Sequence, residues 1–549
     1  MAEPANTAST KRTDNRGLAK AAGIVMVAML ISRILGFVRD LAMTSQFGRS
    51  YITDAYIAAF TIPDLIYDLL VGGALSSAFI PVFSSYLAQG KEDEGWEVAS
   101  TVVNIVIVGL CIGIGLGFYF TPSLISLVAS KFDGERLDLT VKLSRIMLPS
   151  VLFTGLNGIM LGILNSYKQF AYPAIGAVIY NVGIIAMGLL LGPHIGIAGF
   201  SIGVVVGVIG SFLIQISSLF FLRKMKYRPV LNLGHPGIKK LGSLAIASII
   251  GLSIGQINFI VNQNLASGLS LGSITALRMA NRIMWVPIGI FAHSIGVTIF
   301  PTLVSNVATK RIKEFKENFS YGLRMILFII IPASVGLMTF GEPIVRLLFE
   351  QGQFHRSDTI ATAEVLFFYS IGMFAQSAIS IVTRGFYAFH DTRTPIKVGL
   401  VMIAVNYTFS HLFIVYLGAK GLALSYSLTG FLNLSALFFL LRLKVGSMGI
   451  NKIAVSALKT LVASLAMGAC TYFMTQFYES LILVNQKSAQ LVEVVLIVGI
   501  SAIIYLILTK ALRMEEADIV MNNFLARFKG TPFAAIAGLK DKRHRRKVD

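Results

Sequence analysis

Apolar residues run in stretches of about 20 along nearly the whole chain, separated by short polar or basic segments, and each stretch is long enough to cross a bilayer as a helix. Fourteen helices are predicted, at about 18–43, 53–88, 97–120, 142–166, 172–192, 196–222, 241–265, 272–306, 318–340, 361–389, 396–417, 420–441, 454–477 and 490–511. The second and eighth are too long for one straight span. They contain Pro63 and Pro81, and Pro287 and Pro301, so kinking, tilting or continuation along the interface is expected.

Polar residues inside these runs share faces. In the first helix Ser32, Arg33, Gly36, Arg39 and Asp40 fall within a wedge of about 120°, while Ile34, Leu35, Phe37 and Val38 take the remaining surface. A charge costs roughly 2.5–3.5 kcal/mol at mid-bilayer on insertion scales, so several retained on one face point to a polar pathway. In the eighth helix Thr275, Arg278, Arg282 and Trp285 lie within about 80° of one another, with Asn281 at the edge. Arg33, Arg39, Arg278 and Arg282, offset in part by Asp40 and Asp54, would form a cationic site. Guanidinium groups donate bidentate, charge-assisted hydrogen bonds to phosphate, so a phosphate-bearing lipid head group is the expected guest. The alternative is that these arginines pair with carboxylates or helix carbonyls and only hold the helices together.

The pattern also repeats. Tyr167, Pro173, Asn181 and Gly196-Ile197-Ala198 are echoed by Tyr387, Pro395, Asn406 and Gly421-Leu422-Ala423, and Ala78-Phe79-Ile80-Pro81 by Thr298-Ile299-Phe300-Pro301. Asn181 and Asn406 each precede their glycine by 15 residues, an offset of 225, against 220 for Pro81 and Pro301. An offset of six helices preserves orientation, so two parallel six-helix halves are expected, with helices 13 and 14 appended and a site between the halves. The predicted divisions are a basic N-terminus at 1–17, lobes at 18–222 and 236–441, a helix pair at 453–512 and a basic tail at 513–549.

Composition agrees with a polytopic membrane protein: 55% of residues are hydrophobic and 13% charged, against about 25% charged in soluble domains. The first apolar run is long and charged and lacks a cleavage pattern, so it is read as retained. About 32 lysines and arginines fall on the side of the termini and about eight on the other, which predicts both termini in the cytoplasm and explains most of the net charge of +20. The basic run Lys540–Lys547 is a topology and anionic-lipid feature rather than a nucleic-acid site. Cys111 and Cys470 lie in apolar segments and read as small core hydrophobes, with no disulfide framework. Catalytic signals are sparse. Asp64 and Asp68 form the closest carboxylate pair but lack a third ligand, His293, His390 and His411 are isolated, and no nucleotide-binding loop is present. No enzyme activity and no cofactor are expected.

Six motifs in order carry a resemblance: Ser32-Arg33-x-x-Gly36-x-x-Arg39-Asp40, Thr53-Asp54-Ala55, Ala78-Phe79-Ile80-Pro81, Asn281-Arg282, Leu348-Phe349-Glu350-x-Gly352-x-Phe354, and Gly385-Phe386-Tyr387-Ala388-x-x-Asp391-x-x-Thr394-Pro395. On a 14-helix frame they resemble MurJ (MviN), the bacterial lipid II flippase family of the multidrug/oligosaccharidyl-lipid/polysaccharide exporter superfamily, over about residues 17–512. The resemblance implies that lipid-linked peptidoglycan precursor is flipped from the cytoplasmic to the outer leaflet of the bacterial inner membrane by alternating access, for cell wall synthesis. It implies substrate contacts from Arg33, Arg39 and Arg282, joined on the residues' own pattern by Arg278, Asp40, Ser32 and Asp54, with Gly36, Pro63 and Pro287 shaping the helices. It also implies a lipid-tail groove on helices 13 and 14 and functional links to cell wall synthesis. A monomer is expected.

Two positions depart from that pattern. Many relatives carry a basic residue on helix 2 where this chain has Tyr67, and Arg278, one turn from Arg282, is expected to supply the missing charge. Some relatives bind sodium using an asparagine and an aspartate one turn apart on helix 11. Here Asn406 is followed by Ser410, so coupling to membrane potential fits better than a sodium site. Alternatives are another polyprenyl-linked saccharide or drug exporter of the superfamily, or a membrane enzyme acting on polyprenyl phosphates. A pocket for cationic drugs would carry carboxylates, and an enzyme would need more metal ligands than Asp64 and Asp68.

Overall fold

The computed structural model describes residues 7–68, 78–222, 224–482, 484 and 486–528, and no strand occurs among them. The first eight helices are α1 (Thr7–Phe47), α2 (Tyr51–Tyr67), α3 (Ile80–Ala88), α4 (Glu92–Val128), α5 (Gly134–Met147), α6 (Ser150–Ser166), α7 (Ala171–Ile195) and α8 (Ala198–Phe221). A connector leads to α9 (Pro236–Ser267), α10 (Ser273–Pro287), a π-helical turn at Ile288–Ala292 and α11 (His293–Ala308). Next come α12 (Ile312–Phe349), α13 (Arg356–Ile371), α14 (Met373–Ala388), α15 (Arg393–Leu417) and α16 (Ala419–Val445). The last three are α17 (Ile450–Leu481), α18 (Lys487–Ala511) and α19 (Glu515–Phe528).

Among the described residues nine helices are long and apolar enough to cross a membrane, or eleven if α5–α6 and α13–α14, bent by 42° and 41°, each count as one span. The remaining predicted runs, 18–43, 53–88 and 241–265, fall on α1, on α2 with α3, and on α9. Part of the second run, residues 1–6 of the predicted basic N-terminus and Lys540–Lys547 lie outside the described residues. In the eighth run regular α geometry breaks immediately after Pro287, a residue that cannot donate the helical hydrogen bond. The segment predicted as a basic tail at 513–549 begins with a helix, α19, whose first turn is acidic. Cys111 and Cys470 are exposed, so they are surface residues of α4 and α17 rather than core hydrophobes.

Helix ends recur along the chain. α1 and α9 end 220 residues apart, at Phe47 and Ser267, as do α3 and α11 at Ala88 and Ala308. α6 and α14 end 222 apart, at Ser166 and Ala388, and α7 and α15 are both 25 residues long, ending at Ile195 and Leu417. The corners match in detail. After α3 the amide of Lys91 donates to Tyr86 O across Gly90 (φ 72), and after α11 that of Arg311 donates to Asn306 O across Lys310 (φ 57). Gly196 (φ 66) corresponds to Gly418 (φ 54), so the 225 offset read from Asn181 and Asn406 is three residues too long, and Asn181 falls opposite Ile403. Glycine and asparagine were paired by type, whereas the left-handed corner fixes the register.

The described residues form two compact units, one comprising Met1–Asn281, Leu348–Val365 and Gly399–Tyr426, the other Arg282–Leu347, Leu366–Val398 and Ser427–Asp549. In the first, α7 and α8 pack backbone to backbone: a Cβ on Gly183 would lie 2.5 Å from Gly207 Cα, so both helices need glycine at the crossing. α4 carries a polar stripe at helical spacing that binds the connector. Lys226 Nζ donates to Asp93 (3.0 Å), Asn232 Nδ2 to Glu97 (2.8 Å), Arg228 N to Ser100 (3.0 Å) and Asn104 Nδ2 to Val230 O (2.8 Å). In the second unit α12 binds the appended helices: Arg346 Nη2 donates to Glu479 (2.7 Å) and to the fully buried Glu493 (2.8 Å), and Tyr505 Oη to Phe328 O (2.6 Å). Arg324 on α12 also ties α19, pairing with Glu516 at 2.8 Å and Glu515 at 3.1 Å.

Candidate functional site

Helix α1 presents the predicted wedge, but its members do different things. Arg33 is exposed and makes no hydrogen bond or ion pair among the described residues. Ser32 faces α7, its hydroxyl donating to Ala177 O (3.3 Å) and accepting from Asn181 Nδ2 (3.3 Å), so it joins the two helices. Gly36 is buried. Arg39 Nε donates to Asp40 Oδ1 at 3.1 Å, and its guanidinium carbon stands 5.8 Å from the centre of the Phe60 ring.

Phe60 lies on α2, and Arg278 on α10 approaches the same ring to 5.6 Å while standing 3.9 Å from Asp64, one turn beyond Phe60. Two guanidinium groups thus approach one buried aromatic ring, each with its own carboxylate within ion-pair distance. Arg33, Arg39 and Arg278 belong to one compact unit. Arg282, one turn further along α10, is half-buried and belongs to the other unit, whose boundary falls between Asn281 and Arg282. Neither Phe60 nor Asp64 was among the predicted site residues. The spacing of Phe60 and Asp64 along one helix was visible, but the arginines they face come from other helices.

Asp54 is fully buried and saturated. Its Oδ2 accepts from Gly272 N (2.7 Å) and Arg136 Nη2 (3.0 Å), and its Oδ1 accepts from Thr275 N and Thr275 Oγ1 (both 2.8 Å). A carboxylate at that position caps the first turn of α10 and complements its positive N-terminal end. Thr275, predicted on the cationic face, is used up in this contact and fully buried, whereas Trp285 is exposed. Nearby backbone also closes up, with Gln353 N donating to Ser45 O (2.8 Å) and Arg49 Nε to Asp358 (3.1 Å). Pro63 is buried within α2, and Pro287 ends α10. Tyr67 is half exposed at the end of α2.

The acidic pair that a metal-dependent enzyme would need is divided: Asp64 faces Arg278, and Asp68 accepts from Gln256 Nε2 (2.8 Å). Asn406 donates from Nδ2 to Asn258 Oδ1 (2.9 Å) and Asn262 Oδ1 (3.0 Å), and Ser410 Oγ to Asn262 Oδ1 (3.4 Å). Among the described contacts these amide oxygens accept from neutral donors, and none of the four residues is an acid.

Among the described residues the fold is all-helical with nine to eleven apolar spans, and it is the fold of the multidrug/oligosaccharidyl-lipid/polysaccharide exporter superfamily. Its fold matches an inward-facing multidrug resistance MATE family transporter of the MOP superfamily at TM-score 0.63 and 13% identity, covering 78% of this chain and 98% of that one. A solved structure titled lipid II flippase MurJ, inward closed conformation, matches at TM-score 0.74 and 28% identity, covering 89% of this chain and 99% of that one. The family model for lipid II flippase MurJ matches residues 43–493. The lipid II flippase MurJ of Burkholderia cenocepacia is 30% identical over 423 residues, 75% of this chain and 81% of the relative, and the probable lipid II flippase MurJ of Vibrio cholerae is 30% identical over 442 residues. The chain belongs to the MurJ family.

Proposed function

We infer that this chain flips lipid II, the undecaprenyl-pyrophosphate-linked peptidoglycan precursor, across the bacterial cytoplasmic (inner) membrane by alternating access. The observation that carries the reading is the approach of both Arg39 and Arg278 to the Phe60 ring, in the same compact unit as Arg33, which makes no ion pair among the described residues. Such an array offers separate donors to the oxygens of a pyrophosphate. In this reading the frame has fourteen crossings with both termini in the cytoplasm, lobes at 18–222 and 236–441, and a helix pair at 453–512 that receives the lipid tail. Asp40 and Asp64 hold the arginines until the anion arrives, and Arg278 replaces the charge that Tyr67 lacks. Asp54 with Gly272 and Thr275 closes the outer side between transport steps. Transport is coupled to membrane potential, which supplies about 2.3 kcal/mol per charge per 100 mV, rather than to sodium, since Asn258, Asn262 and Asn406 bond one another and bring no carboxylate for a cation. The protein acts as a monomer, functionally linked to the cell wall synthesis machinery, with no cofactor and no nucleic acid.

Expression of this chain in bacteria depleted of their own flippase is expected to restore growth, and Arg33→Ala, Arg39→Ala or Arg282→Ala to abolish the rescue at equal expression. Rescue by all three variants would overturn the reading. Arg278→Ala is expected to slow transport, and a wild-type rate would remove Arg278 from the clamp. In liposomes, lipid II flipping that follows a sodium gradient and ignores membrane potential would overturn the proposed coupling.

A further inference from the structure

Arginines within the helical frame are mostly matched to carboxylates: Arg39, Arg136, Arg278, Arg324 and Arg346 each lie within ion-pair distance of an acid. Arg384, on α14 four residues before that helix ends at Ala388, is different. It makes no hydrogen bond or ion pair among the described residues, and its buried Nη1 has no acceptor. That nitrogen is seated on the buried Gly296 of α11, where a Cβ would overlap it. The residue as a whole is half-buried, and its Nε and Nη2, which also make no hydrogen bond among the described residues, keep some exposure.

Packing alone does not require this arrangement. At the equivalent place in the first half, 222 residues earlier, α6 carries Gly162, and the corresponding seam is filled by Phe79. A charge placed in a seam that an aromatic ring can fill costs free energy of insertion and gains nothing from a carboxylate. A planar fork with one edge fixed and the other open has the geometry of a phosphate receptor.

We propose that Arg384 is an anion-binding residue, seated on Gly296 so that its open edge meets the phosphate of a lipid head group. The proposal rests on the flippase reading and adds to it a contact on the second half. The phosphate belongs either to the pyrophosphate of the cargo or to a bulk anionic lipid.

The test measures binding of lipid II and, separately, of phosphatidylglycerol to the purified full-length protein in detergent, for wild type, Arg384→Gln, Arg384→Lys and Gly296→Ala. Arg384→Gln is expected to weaken lipid II binding about tenfold, and Arg384→Lys less, because a point charge replaces a bidentate fork. Gly296→Ala keeps the charge but displaces it, and weakens binding as well. A loss confined to phosphatidylglycerol supports the proposal and assigns the phosphate to bulk lipid. Unchanged affinity for both lipids in Arg384→Gln overturns it. If that variant does not fold, Gly296→Ala carries the test, and unchanged affinity for both lipids there overturns the proposal equally. Arg33→Gln, in the same assay, tests the flippase reading by itself: its failure to reduce lipid II affinity counts against that reading and leaves the phosphatidylglycerol result for Arg384 standing.

Discussion

Two seams at equivalent places in the repeat are closed in opposite ways. In the first half the small residue is Gly162 on α6, and Phe79, fully buried at the start of α3, enters the space it leaves. In the second half the small residue is Gly296 on α11, and Arg384 comes from α14. Helix ends and left-handed corners recur at 220 to 222 residues throughout, for example Ala88 with Ala308 and Gly196 with Gly418. The frame is therefore set by corners and helix lengths, while the residues on the helix faces have diverged. Where the first half spends a seam on apolar burial, the second spends it on charge.

The largest test of this asymmetry is Asp54. The carboxylate of α2 caps α10, whereas the equivalent position on α10, 222 residues later, is Ala276, which can return nothing. Asp54→Ala leaves the buried Arg136 without its partner and the first turn of α10 uncapped, and is expected to destabilise by about 3–5 kcal/mol. Asp54→Asn keeps one acceptor oxygen and is expected to lose about 1–3 kcal/mol. Thermal unfolding in detergent separates the three proteins. Coincident melting of Asp54→Ala and wild type would show that the contact between α2 and α10 carries no stability.

The two glycine seams give the next largest effect. A Cβ on Gly162 would lie 2.6 Å from the Phe79 ring, which is fully buried and cannot withdraw, so Gly162→Ala is expected to cost about 1–3 kcal/mol. Phe79→Leu in the same protein should recover part of that loss. Gly296→Ala meets only the tip of a flexible side chain and should cost less than about 1 kcal/mol. Equal losses at both glycines would mean that Arg384 is held as firmly as Phe79.

Much of the frame was legible because hydrophobic run length reports it directly: the apolar stretches fall on the helices, and the prolines of the eighth run mark its break. The repeat was legible in outline but slipped by three residues at Asn406, since residue type is a weaker marker than a corner conformation. In the site, face sharing grouped Arg33 with Arg39 on α1, but it could not distinguish residues facing a ligand from residues facing another helix. Ser32 joins α7 through Asn181, and Asp54 and Thr275 satisfy one another. Arg136, Phe60 and Asp64 were missed because their partners lie on other helices, and single-helix geometry holds no information about such pairs. Arg384 was missed for a related reason: its seat is a glycine, and nothing in a sequence marks a glycine as the floor of a charge.

The smallest difference lies at the corner before α15. There Asp391 accepts from Thr394 N (3.0 Å) and Thr394 Oγ1 (2.9 Å) and pairs with Lys444 at 2.8 Å, whereas the equivalent corner before α7 has Gln169 and no side-chain cap. The hydrogen bond from Lys444, followed by those from Thr394, outweighs partial burial and holds the Asp391 carboxyl at about 2, below its ordinary 3.8. A depressed carboxylate stabilises the folded state above its ordinary value, and that contribution fades as pH falls from about 4 through about 2. The corner before α15 should therefore loosen with acid, and the one before α7 should not. Hydrogen exchange of the first turns of α15 and α7 between pH 2 and 5, corrected for intrinsic rates, measures the contrast. Lys444→Met should raise the Asp391 pKa toward 3.8 and narrow the acid window, at a cost below about 1 kcal/mol, since Lys444 is partly exposed and water screens the pair. If acid protects or exposes both corners alike, the difference between Asp391 and Gln169 has no energetic consequence.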